Sequence, residues 1–129
     1  MENYKLNQEY SLLDVRDAES AKKLVKKILN GEENKIYENE RFNKLEANLL
    51  EALILYVVKE NPEEKRNINT IYGLVTSNTI FIDGIFKSLP IDHEAKLPYS
   101  MYNLATQKVK ESIVISLAVK LNCIINTLY

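Results

Sequence analysis

At 129 residues the chain has the length of one domain, long enough to bury roughly two thirds of the surface its unfolded form exposes. Its 46% hydrophobic and 27% charged residues exclude the low-hydrophobicity, high-charge regime of disordered chains. Seventeen basic against eighteen acidic side chains, a net charge of -1, exclude a global electrostatic pull towards nucleic acid or anionic lipid, so any such binding needs a local patch.

Three glycines and three prolines are too few for the tight turns of a sandwich or barrel, and an all-α fold is expected. Residues 1 to 15 read as an extended lead-in that offers Tyr4, Leu6, Tyr10, Leu12 and Leu13 for packing. The polar start Met1-Glu2-Asn3-Tyr4-Lys5 lacks the apolar run of a secretory signal. Asp14 or Asp17 can cap a first helix, with Ala21, Leu24, Val25, Ile28 and Leu29 as its buried stripe and Asn30-Gly31 as its stop. Its acids come early and its lysines late, which suits the helix dipole.

Glu32 to Asn39 is a charged connection. A long helix then spans about Glu40 to Glu60, ended by Asn61-Pro62. Phe42, Leu45, Leu49, Leu50, Leu53, Ile54, Tyr56, Val57 and Val58 cover more than one face, and a helix apolar nearly all round is one that its neighbours surround. Its apolar stretch from Leu49 to Val58 is interrupted by Glu51 and falls well short of the roughly 20 residues a membrane span needs.

Asn67 or Asn69 can cap a short helix with Ile68, Ile71, Tyr72, Leu74 and Val75, fraying at Thr76-Ser77-Asn78-Thr79. The β-branched and aromatic run Ile80 to Phe86 suits a strand by composition. The spacing of Ile82, Ile85, Phe86 and Leu89 before Pro90 suits a short helix, which is the expectation here. Asp92 can cap a helix running towards Thr106, with Pro98 inside its first turns or kinking it. A last helix from about Gln107 to Cys123 turns Val109, Ile113, Val114, Leu117, Ala118 and Leu121 inward and Lys108, Lys110, Glu111 and Lys120 outward. The apolar ending Ile124 to Tyr129 reads as a cut through a larger protein or as a terminal segment docked on the core. The sum is a compact bundle of about six helices around a central apolar helix, forming one domain.

Catalytic chemistry finds little material. Gly31, Gly73 and Gly84 are isolated, so no phosphate-cradling loop can be assembled locally. One histidine and one cysteine are too sparse for a zinc site, and Asp92-His93-Glu94 reads as a helix cap rather than a metal ligand set. Cys123 lies among apolar neighbours and reads as a buried structural thiol in a reducing cytoplasm. No catalytic, cofactor or metal site is assigned. Glu60, Glu63, Glu64, Lys65 and Arg66 read as a solvated turn, and Tyr99 and Tyr102 as residues of the core edge rather than of an interface. Lys22, Lys23, Lys26 and Lys27 occupy neighbouring positions over two helical turns, where they suit phosphates or form an ordinary exposed face.

Two stretches carry a family resemblance. The first is Phe42-Asn43-Lys44-Leu45-Glu46-Ala47-Asn48-Leu49-Leu50-Glu51-Ala52-Leu53-Ile54-Leu55-Tyr56-Val57 with Asn61-Pro62-Glu63-Glu64-Lys65-Arg66-Asn67. The second is Ile85-Phe86-Lys87-Ser88-Leu89-Pro90-Ile91-Asp92-His93, continuing through Tyr102 and Lys108 to Glu111-Ser112-Ile113-Val114-Ile115-Ser116-Leu117-Ala118. Both, with residues 10 to 30 before them, resemble the all-α domain of the TraG/TraD-like type IV secretion coupling proteins; where many relatives carry a tryptophan this chain has Asn43. These are packing patterns, not catalytic signatures.

The resemblance implies a helical domain inserted in a membrane-anchored, cytoplasmic RecA-like ATPase whose nucleotide-binding motifs lie outside this sequence. It also implies a role in docking relaxases, accessory DNA-processing proteins or DNA before conjugative transfer. The candidate partner-binding residues are the lysine face Lys22, Lys23, Lys26 and Lys27, with Lys108 and Lys110 of the last helix. The alternatives are a stand-alone helical DNA-binding regulator, for which no basic recognition helix with base-reading residues stands out, and a purely structural insert.

Overall fold

The computed structural model describes residues 10–30 and 40–127, the side chains of Asn30 and of residues 40–43 excepted. Outside the described residues lie Tyr4 and Leu6 of the lead-in, the Gly31 stop, the connection 32–39, the side chains of Phe42 and Asn43, and Leu128-Tyr129. Among the described residues there are six α-helices and no strand: α1 Ala18–Asn30, α2 Glu40–Glu60, α3 Ile68–Val75, α4 Thr79–Lys87, α5 Lys96–Tyr102 and α6 Gln107–Asn126, with a 3₁₀ turn at Glu63–Lys65.

Asp17 starts α1. Its carboxylate accepts the Ser20 N–H at 3.0 Å, and Ser20 Oγ in return accepts the N–H groups of Arg16 and Asp17 at 2.8 and 3.1 Å. The backbone hydrogen bond from Ser20 leads the causes that hold the Asp17 carboxyl below the usual carboxylate value. Ala21, Leu24, Val25 and Ile28 form the inward stripe.

Helix α2 packs against α1, α3, α5 and α6. Every residue from Leu49 to Leu55 is buried, Glu51 included. The helix ends where Pro62 cannot continue it, and Arg66 Nε donates to the Asn61 carbonyl at 2.9 Å across the following turn. Asn67 caps α3 by accepting the Thr70 N–H at 3.0 Å. Asn78 caps α4 by accepting the Phe81 N–H at 2.8 Å, so the run from Ile80 to Phe86 is helical and buries Ile82 and Phe86 one turn apart. The aromatic rings join elements: Phe86 of α4 stacks on Tyr99 of α5 at 4.3 Å between centroids and 8° between planes, and lies 5.8 Å from Tyr56 of α2.

Two expectations need correction. The helix expected from Asp92 to about Thr106 is shorter, Lys96–Tyr102, and Asp92 does not cap it. No side chain caps it: the His93 ring accepts, through Nδ1 at 3.0 Å, the N–H of Ala95, the residue before the helix, and Pro98 falls in the first turn, where a missing N–H costs no helical hydrogen bond. Thr106 then caps α6 through the Val109 N–H. Cys123 is exposed, not buried. Ile113, Leu117 and Leu121 define the inward line of α6, and two residues beyond Leu121 rotate the chain by about 200°, away from the core.

Candidate partner-docking site

Between α1, α2, the turn before α5, and α5 itself opens a cleft of about 900 Å³. One wall comes from a helix that is apolar on both sides. Pro98, Tyr99 and Tyr102 of α5 face the core, which leaves Leu97 and Met101, one turn apart, on the outside. With Ile91 they form the apolar wall, being 71%, 47% and 91% exposed respectively. Single exposed apolar residues are ordinary; here three line one concavity.

The floor is polar and belongs to α2. Asn48 and Glu51, three residues apart, lie on the same helical face. The Glu51 side chain is only 7% exposed; its Oε2 accepts a hydrogen bond from Lys22 Nζ at 3.0 Å, while Lys22 itself is 63% exposed across the cleft. Among the described residues neither Glu51 Oε1 nor the Asn48 side-chain amide makes a hydrogen bond.

Two contacts fasten the end of the cleft to the carboxyl end of α2. Lys59 pairs with Glu94 at 3.2 Å, and the buried ring of His93 lies 2.9 Å from Glu60 Oε2. Because Nδ1 already accepts the Ala95 N–H, the hydrogen-bond network assigns the proton to Nε2, which donates to Glu60. His93 thereby ties the turn before α5 to α2.

Of the basic residues singled out from the sequence, Lys22 lines this cleft and is held by Glu51. Lys23, Lys26 and Lys27 lie exposed on α1, outside the cleft lining. Lys108 and Lys110 do not join them. Lys108 is exposed near the start of α6, whereas Lys110 is half-buried, donates to Asn103 Oδ1 and stands 5.7 Å from the centre of the Tyr102 ring. Tyr99 and Tyr102 are buried, and burial, before any neighbouring charge, raises both phenols above their ordinary value of 10.0.

Sequence reading missed Ile91, Leu97, Met101, Asn48 and Glu51 as a set. The available signal was a short segment, Leu97 to Tyr102, with more apolar residues than one buried face can hold. Among the described residues no three His, Cys, Asp or Glu side chains converge as a metal-ligand set, and no helix is long and apolar enough to cross a membrane. No protein-family description, curated protein or solved structure matches this chain.

Proposed function

We propose that the chain is the all-α substrate-recognition domain of a TraG/TraD-like coupling protein. It docks a relaxase or an accessory DNA-processing protein for transfer by an ATPase whose nucleotide-binding parts lie outside these residues. On this reading the domain performs no chemistry; the parent is membrane-anchored and presents it in the cytoplasm. The observation that supports docking of protein rather than DNA is the cleft wall of Ile91, Leu97 and Met101 over a floor that carries a buried carboxylate. A nucleic-acid site needs a basic, phosphate-neutralising surface instead. The sequence resemblance supports the assignment to the coupling-protein family.

The test is binding of the purified chain to relaxase and accessory protein encoded beside its gene and, in parallel, to labelled single- and double-stranded DNA across a salt series. Protein binding that survives salt is expected. DNA binding that falls steeply with salt and is lost in a Lys23→Ala, Lys26→Ala variant would move the function to the lysine face of α1. No binding to either would leave a structural insert.

A further inference from the structure

The cleft has a chemical bias. Five charged side chains other than His93 line it: Glu51, Asp92 and Glu94 against Lys22 and Lys96. Glu94 is paired with Lys59 behind the lining, so the sum of charges is balanced and the position of the acids is what matters. Glu51 is the most deeply buried of the five, and a carboxylate held away from water is the one whose interaction with a cation is least screened. Its present partner, Lys22, is mostly exposed, so the ammonium is held from one side only, and among the described residues no donor meets the second carboxylate oxygen. Asp92 stands exposed on the rim without an ion pair among the described residues. One helical turn from Glu51, the Asn48 amide offers a donor and an acceptor, the pair a peptide backbone requires.

We infer that the cleft is the binding site for a peptide segment of a protein partner that combines a lysine or arginine with large apolar side chains. The apolar residues lie on Ile91, Leu97 and Met101, the cation reaches the Glu51 carboxylate with Asp92 as its outer guide, and Asn48 takes the backbone. A nucleic-acid strand fails this chemistry, because its phosphates would meet the buried Glu51 and the exposed Asp92. An acidic peptide fails for the same reason. The inference rests on the reading of this domain as a receptor for protein segments, and it narrows that reading to one class of segment.

The experiment selects binders from a displayed random-peptide library with the full chain, then measures Kd of the recovered peptides by fluorescence anisotropy. Recovered sequences should pair Arg or Lys with Leu, Ile, Phe or Met. Leu97→Asp, a change at an exposed position that leaves the core untouched, should weaken them about ten-fold or more. Asp92→Lys should weaken basic peptides and spare their counterparts in which glutamine replaces the cation. Circular dichroism of each variant separates lost binding from lost folding. Recovery of acidic peptides, affinities unchanged by Leu97→Asp, or no enrichment at all would each overturn the inference. Peptide binding as expected without capture of a relaxase or accessory protein would sink the proposed function and keep this site; cargo binding indifferent to Leu97→Asp would do the reverse.

Discussion

Tyr99 places its hydroxyl 2.9 Å from Asp83 Oδ1 while its ring stacks on Phe86, so one side chain satisfies a half-buried carboxylate and completes the aromatic seam between α4 and α5. Burial of Asp83 opposes its ionisation, but the hydrogen bonds from Tyr99 and Lys87 outweigh it and the carboxyl titrates below its ordinary 3.8. Its contribution is therefore complete above about pH 4 and is lost as pH falls through the lower folded value. The phenols of Tyr99 and Tyr102 run the other way: raised first by burial, they contribute fully below about pH 10 and lose that contribution as pH rises beyond it. Tyr99→Phe should lower stability by about 1 kcal/mol at neutral pH and flatten the alkaline decline, with urea midpoints measured between about pH 7 and pH 11 as the check. An undiminished alkaline slope would mean that other groups carry it. The sequence shows two tyrosines three residues apart; it does not show that Asp83 waits for one of them, because that meeting depends on how α4 and α5 cross. Cys123 teaches the complementary lesson: apolar neighbours in sequence suggested burial, whereas the turn of α6 decides which of them face inward.

Helices α3 and α4 are short, and short helices depend on their ends. Each begins with an asparagine whose side chain accepts the N–H three residues on, Asn67 to Thr70 and Asn78 to Phe81. Each also carries a glycine, Gly73 and Gly84, where an added Cβ would meet nothing within 4 Å. These facts predict opposite signs within α4: Asn78→Ala costs about 1 kcal/mol through the lost cap, while Gly84→Ala adds roughly 0.5–1 kcal/mol by removing unfolded-state freedom. Thermal unfolding of both single variants checks this, and a destabilising Gly84→Ala would show that the helix needs the glycine for close approach. Most elements were legible in the sequence because they rest on local signals: Asp17, Asn67, the apolar spacing of α2, and Pro62 as a stop. Helix α5 was less so. It has no side-chain cap, and the turn before it is held by the His93 ring, which accepts the Ala95 N–H and meets Glu60 on α2, a contact 33 positions away that no local spacing announces. The cleft escaped for the same reason, since its floor comes from α2 and its apolar wall from α5 and the turn before it.

Buried apolar side chains from all six helices merge into one core, so the described helices should unfold together. An apolar core of this kind tolerates repacking and sliding, and it does not by itself fix which neighbour lies on which side of α2. Two buried carboxylates of α2 supply that information. Glu46 accepts hydrogen bonds from Ser116 Oγ at 3.0 Å and Lys120 Nζ at 2.9 Å on α6, while Glu51 accepts from Lys22 on α1. Five residues apart, the two acids point about 140° from each other around the helix, so each serves a different neighbour. The pairs need not add stability in total, because desolvating a carboxylate offsets much of what the pairing returns. Their removal one partner at a time is another matter. Lys120→Met strands a Glu46 side chain that is 3% exposed, and the expected loss is about 2 kcal/mol, below the roughly 3–5 of a fully enclosed pair because Lys120 is itself 38% exposed. Adding Glu46→Met to the same chain should recover most of that loss in urea denaturation, since methionine fills the space of both side chains without a charge. If the double variant stays as unstable as the single one, the pair contributes net stability; if it recovers but its amide spectrum broadens, the buried acid's role is to hold α6 in a single register.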